Sequence, residues 1–219
     1  MLETFGVALR FGTFALSLSI SSSITLILSK ARPADTTAAD IAEAVPSPAG
    51  AVRLAGDIAD GLVGHTIWSD QWIVDRVMPN LAKGLAKAGR QRQSFDLNLG
   101  RFVALGPDKR QCIEDTRQSI AFYASFAQYE RYFTEIGFGA EARALCQAAQ
   151  AKDERALRRA CSDAMVEQIA LVGSIDEARA RVNRLAAVTD SFSLAAPFHG
   201  LSPEQIGEYN RRIAEAFYQ

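Results

Sequence analysis

The chain is poor in the residues that announce most chemistries at a glance. Among 219 residues there are three cysteines (Cys112, Cys146 and Cys161) and two histidines (His65 and His199). The cysteines are widely spaced and form no CxxC pair. A disulfide framework and a structural zinc site are therefore not expected, and a reducing cytoplasm is the compartment that fits. Charge of one sign is also lacking: 24 Lys and Arg stand against 25 Asp and Glu, a net charge of -1. With no basic footprint, nucleic acid and anionic lipid are not expected as partners. No P-loop, HExxH or GxSxG is present, and no Cys/His pair has catalytic spacing, so motifs assign neither a catalytic residue nor a metal ligand. Internal repeats and low-complexity tracts are absent too, which excludes solenoid and propeller architectures.

One apolar stretch departs from this picture. FGTFALSLSISSSITLIL, residues 11 to 28, lies between Arg10 and Lys30 and has the outline of a signal peptide or membrane anchor. Its pattern is different. Phe14, Leu16, Leu18 and Ile20 alternate with small polar residues, and Ile24, Leu26 and Leu28 resume the alternation beyond a serine triplet. Period two indicates strands, so a hairpin or two short strands are expected and no membrane span. Export of the chain as a binding protein is the alternative, and it rests on this stretch alone.

What the sequence does contain is alternation. After the polar linker KARPADTTAAD (30 to 40), apolar runs at 41–45, 62–65, 95–105 and 191–198 are separated by helical patterns. These predict an α/β fold with four visible strands and helices at 48–60, 69–89, 175–188 and 203–218, Pro79 being read as a kink or break. A long helical insert is expected from 107 to 171. Residues 1–40 are read as an extension and 41–219 as the main domain. Ser174 with Glu177, and Ser202 with Gln205 and Pro203, have the form of capping boxes; Ser47-Pro48 repeats the start without the acidic partner. In the insert, Phe122, Phe126, Tyr129 and Phe133 recur at helical spacing, a stripe read as core with ligand lining as the alternative. GFGAEA (137–142) fits GxGxxA but follows a helix, not a strand, and is read as a turn.

The run 41–45, the loop PSPAG and the following helix form the most informative constellation. A strand that feeds a short loop of small residues into a helix presents backbone N–H groups and the positive end of a helix dipole at the strand's carboxyl end. Ser47, Pro48, Ala49, Gly50 and Ala51 are accordingly a candidate phosphate seat; a capped connection that binds nothing is the other reading. His65 ends an apolar run, where a barrel strand meets its ligand, so ligand contact and a hydrogen-bonded structural role both stand open. His199 occupies a similar place after SLAAPF.

The stretches RLAGDIADGLVGH, WIVDRVMPNLAKGLAKAGRQRQSFDLNLGRFVAL, IAFYASFAQYERYFTEIGFG and MVEQIALVGSIDEARARV together resemble the carboxyl-terminal half of the luciferase-like monooxygenase superfamily. Within it they are most similar to oxidoreductases that use coenzyme F420. The resemblance implies a TIM-type barrel, commonly dimeric, binding F420 or FMN at the strands' carboxyl ends and transferring hydride to or from a small-molecule substrate. It also implies that the loop before LAGxxADG, here Ser47 to Gly50, holds the cofactor phosphate, and that GSIDE (173–177) is a structural helix start. A closed barrel needs eight strands and ~250 residues, and no counterpart of the family's amino-terminal strands precedes residue 41. The expected fold is therefore a partial (β/α) barrel with a helical insert and an amino-terminal hairpin. Homodimerisation, or association with a chain supplying the missing half-barrel, is expected as a consequence. A non-catalytic remnant or partner subunit is the alternative to an enzyme.

Overall fold

The computed structural model describes residues 16–21, 24–28 and 48–218. These residues form two compact units. One comprises the described residues up to His65 with Gln71–Leu99 and Val188–Phe192; the other comprises Thr66–Asp70, Gly100–Ala187 and the chain from Ser193 onward. The run 41–45, read as a strand, lies outside the described residues.

In the first unit the alternating stretch forms β1 (Leu16–Ser21) and β2 (Ile24–Leu28). They pair antiparallel from Leu16↔Leu28 to Ser21↔Ile24, with a register shift between Ser19 and Ser21. This is the expected hairpin. Helix α1 (Pro48–Ile58) leads into β3 (Gly61–Gly64), which pairs antiparallel with β2 and parallel with the start of β4 (Asp96–Leu105), from Gly61↔Asp96 to Gly64↔Leu99. Two glycines bring α1 against α3 (Met78–Lys87). A Cβ on Gly84 would lie 1.9 Å from the Arg53 carbonyl oxygen, and one on Gly56 would lie 2.7 Å from that of Leu81. Ala51, Val52, Ala55, Leu81 and Leu85 fill the crossing and are buried. Each large aliphatic side chain buried this way stabilises by ~1.5–3 kcal/mol. The carboxyl end of α1 has no basic residue of its own. The Arg90 guanidinium takes that place, donating to the carbonyls of Ala59 (2.5 Å) and Gly56 (3.2 Å).

Pro79 neither breaks nor ends its helix. Helix α2 (Asp70–Trp72) continues through a π-helical turn, Ile73–Val77, into α3. The Met78 N–H reaches back to the Ile73 carbonyl. A proline ring crowds the carbonyl four residues earlier, here Asp75, and the wider turn makes room for it.

In the second unit the carboxyl half of β4 pairs parallel with β5 (Leu171–Gly173), from Val103↔Leu171 to Leu105↔Gly173. β5 is not expected from the sequence: Ile169, Ala170, Leu171 and Val172 continue the apolar helical pattern before them and are read as its end. The insert is helical, as expected, and is made of several helices. It comprises α4 (Lys109–Ala124), α5 (Glu130–Glu135), α6 (Gly139–Gln150), α7 (Glu154–Ala160) and α8 (Asp163–Ile169). GFGAEA turns only at its start, where Gly137 has φ 96°, and α6 begins at Gly139. α9 (Ile175–Leu185) and α10 (Pro203–Phe217) both start on the expected capping boxes, Ser174 with Glu177 and Ser202 with Gln205. The last strand, β6 (Ser191–Ala195), pairs with β4 and is shorter than the apolar run suggested.

Candidate functional site

Ser47 lies outside the described residues. Pro48 opens α1, Ala49 is half-buried, and Gly50 and Ala51 are buried. The first turn of α1 carries no acidic residue, so nothing in it opposes an anion at the positive end of the dipole. A connection of two residues, Ala59 and Asp60, joins the carboxyl end of α1 to the start of β3, against which the helix packs. Helix and strand therefore run in opposite directions. The amino end of α1 and the carboxyl end of β3 come to the same end of the unit, and His65, half-buried, is the first residue past that strand. The structure thus brings Pro48, Ala49, Gly50, Ala51 and His65 to one end of a parallel strand pair.

The residues after His65 belong to the second unit. Thr66 is half-buried, whereas Ile67, Trp68 and Ser69 are buried. A loop can be buried only if its backbone groups find partners. The Tyr132 hydroxyl donates to the Ile67 carbonyl at 2.5 Å and accepts the Ser69 N–H at 2.9 Å. Arg101, on β4 and fully buried, donates to the Trp68 carbonyl, to the Ile169 carbonyl at 2.8 Å and to the Asp70 carboxylate at 2.6 Å. Arg181 takes the same carboxylate with two bonds, at 2.8 and 3.0 Å. Burial pulls the Arg101 guanidinium down to about 10, against the opposing pull of Asp70. Burial pushes Asp70 upward, but the Arg181 hydrogen bond and the charges of Arg101 and Arg181 outweigh it and hold the carboxyl below 3.8.

Nothing in the sequence marks this constellation. A lone arginine inside FDLNLGRFVAL shows only that a buried charge needs a partner. Its partner sits 31 residues earlier, at no recognisable spacing.

The aromatic stripe divides in two, which corrects its reading as core. Helix α4 ends at Ala124, and Phe122 and Phe126 stay exposed while Tyr129 and Phe133 are buried. Phe122 stacks on His199 at 4.1 Å between ring centroids, and Phe198 lies 4.3 Å from the same imidazole. The Ser119 hydroxyl oxygen accepts the backbone N–H of both Phe198 and His199 at 3.2 Å. Beside this stack lies a cavity of about 190 Å³, lined by Arg117, Phe122, Glu154, Leu157, Arg158 and His199 among others. Neither His65 nor any of residues 49–51 is among the residues that line it.

Burial lowers the His199 imidazole below 6.5, and its Nδ1 is sealed without a hydrogen-bond partner. A histidine whose folded-state value is depressed contributes stability that is complete above its unfolded value and is lost as pH falls through the folded one. Between pH 7 and pH 5 the melting temperature is therefore expected to fall less in His199→Phe than in the parent chain. Parallel pH–Tm curves check this, and identical slopes would show the imidazole already solvated.

All three cysteines are free thiols. Among the described residues no cluster of His, Cys, Asp or Glu could hold a metal ion, and no helix is long and apolar enough to cross a membrane.

An α/β chain with βα units, a helical insert and a partial (β/α) barrel defines the class, and residues 41–191 match the luciferase-like monooxygenase family. The chain belongs to that family, one of oxidoreductases. An uncharacterized protein of Mycobacterium tuberculosis is 31% identical over 142 residues, covering 63% of this chain and 42% of that protein. The F420-dependent glucose-6-phosphate dehydrogenase of Nakamurella multipartita is 33% identical over 96 residues, 44% of this chain and 26% of the relative. Among solved structures, the coenzyme F420 dependent tetrahydromethanopterin reductase from Methanopyrus kandleri superposes with a TM-score of 0.56 at 18% identity, covering 71% of this chain and 44% of that one. An F420-dependent secondary alcohol dehydrogenase superposes with a TM-score of 0.50 at 14% identity, covering 77% and 46%. The chain thus spans less than half the length of these relatives.

Proposed function

We propose that this chain holds the cofactor of an oxidoreductase that moves hydride between a small organic substrate and coenzyme F420, FMN being the alternative cofactor. The observation that carries this reading is the convergence of the amino end of α1 and His65 at the carboxyl end of β3, with no carboxylate in the first helical turn. The F420 dependence stated for three relatives supports the choice of cofactor.

These residues fit a phosphate. Ala49, Gly50 and Ala51 have no side chain long enough to keep an anion away from the main chain, and the helix dipole favours negative charge at that end. Pro48 has no N–H to give, so the amides of residues 49–51 would do the holding. His65 would face the ring side of the bound cofactor and help shield it from water. The cofactor, when bound, supplies the hydride chemistry; the protein supplies orientation and a dry pocket. Association with a second copy of the chain, or with a chain that supplies further barrel strands, belongs to the same proposal. A subunit that acts only in association is the second reading.

Titrating the full chain with F420 and, separately, with FMN while following cofactor fluorescence tests the proposal. Ala49→Asp sharpens it. A carboxylate in the first turn suits the helix dipole by about 0.3–1 kcal/mol, so the fold is not weakened, yet it repels a phosphate. Affinity is expected to fall at least ~10-fold with Tm unchanged or slightly raised. Equal affinity in the two proteins would remove the phosphate from the start of α1.

A further inference from the structure

The cavity of about 190 Å³ beside Phe122 and His199 has no part in the proposal above, and every residue that lines it belongs to the second unit. Its wall combines an apolar face with two charges of opposite sign that do not satisfy each other. Phe122, 41% exposed, and the half-buried Leu157 supply the apolar face. Glu154 and Arg158, which also line the cavity, stand one turn apart on α7 with the acid first, the spacing at which such pairs usually meet. They do not meet here. The Arg158 Nη1 donates across to Glu114 of α4 at 3.1 Å, and among the described residues Glu154 has no ion pair. Arg117 is already committed: its Nε donates to Glu114 at 2.8 Å, its Nη1 to the Cys161 carbonyl and its Nη2 to Asp163. The His199 imidazole, lowered below 6.5 by burial, adds little charge at neutral pH. One carboxylate and the remaining donors of one guanidinium are thus left to the cavity.

We propose that this cavity binds a small zwitterion carrying one ring, an aromatic α-amino acid in the simplest case, with its carboxylate on Arg158, its ammonium on Glu154 and its ring against Phe122 and Leu157. An anion alone would meet the Glu154 carboxylate, and a cation alone would meet the Arg158 guanidinium, and like charges repel more strongly at a partly desolvated wall than in water. A zwitterion satisfies both groups at once, through charge-assisted hydrogen bonds at each end. Size points the same way. The cavity is smaller than the ~300–1,000 Å³ of sites for drug-sized ligands, which leaves room for a single ring and its head group. The proposal does not depend on the cofactor reading.

The test uses the full-length chain and isothermal calorimetry with four probes: L-phenylalanine, L-alanine, 3-phenylpropanoate and phenethylamine. L-Phenylalanine is expected to bind saturably with a Kd of about 1 mM or tighter. The other three lack the ring, the ammonium and the carboxylate in turn, and each should bind at least about fivefold more weakly. Two variants then separate the charges. Glu154→Gln should weaken L-phenylalanine about fivefold while leaving 3-phenylpropanoate unchanged or tighter, and Arg158→Gln should weaken L-phenylalanine by a similar factor while leaving phenethylamine unchanged or tighter. Both side chains lie at the surface, so thermal melts of the variants should overlay the parent's, and a merely structural role would not split the probes by charge. No saturable binding of L-phenylalanine up to about ten times that Kd overturns the proposal. So does 3-phenylpropanoate or phenethylamine binding the parent as tightly as L-phenylalanine, or a pair of variants that both keep the parent's affinity. None of these results bears on F420 binding, which the separate titration decides.

Discussion

Asp70→Ala is expected to lower unfolding free energy by about 3–5 kcal/mol, since it strips the counter-ion from the buried Arg101 and the half-buried Arg181. Arg101 would keep its carbonyl partners, Trp68 and Ile169, but would face Arg181 with no carboxylate between them. Urea titration checks this: the midpoint should drop with the slope unchanged. A loss below about 1 kcal/mol would mean that the carbonyl cage alone satisfies both guanidinium groups. The same geometry sets the pH dependence. The folded-state value of Asp70 lies below 3.8, so its contribution is fully present above that value and is lost as pH falls through the folded one. Acid sensitivity below about pH 4 should accordingly be blunted in Asp70→Asn relative to its own neutral-pH stability.

Gly84→Ala should be the most damaging single methyl group that can be added to the first unit. The new Cβ would sit 1.9 Å from the carbonyl oxygen and 2.9 Å from the carbonyl carbon of Arg53. Both are main-chain atoms of a helix, so no rotamer change relieves the clash and α1 must move away from α3. Overpacking of this kind costs ~1–3 kcal/mol, and Gly84→Val should cost more. Gly56→Ala meets the Leu81 carbonyl oxygen and the Leu85 amide nitrogen at the same crossing, so the double variant should lose less than the sum of the singles, because helices already parted accommodate the second methyl. Thermal melts of the three variants decide it, and strict additivity would mean that the two glycines act independently.

These residues also show how far local signals reach. Period-two alternation is enough for β1 and β2, and serine followed three residues later by glutamate or glutamine is enough for the starts of α9 and α10, because both signals are local. LAGxxADG encodes helix, stop and strand for a reason visible in the packing. Gly56 permits the helix crossing, and a Cβ on Gly61 would lie 2.6 Å from the Asp96 carbonyl oxygen. β5 escapes because three apolar residues after an apolar helix change no periodicity; only the parallel partner at Val103–Leu105 makes them a strand. Asp153 and Ser162 cap α7 and α8 with no glutamate or glutamine three residues on, so the starts of these two helices carry no capping-box signal in the sequence. The candidate phosphate seat reads in the sequence as a run of small residues where a helix begins. The clamp on 67–70 has no such signal, since its members lie 31 to 111 residues apart along the chain.

One small arrangement sets how the chain between β6 and α10 behaves. Ser119 offers a single oxygen to two successive amides, those of Phe198 and His199. Ser119 therefore acts on both amides at once: Ser119→Ala would remove the acceptor of each, and with it the restraint that holds the Phe198–His199 backbone against α4.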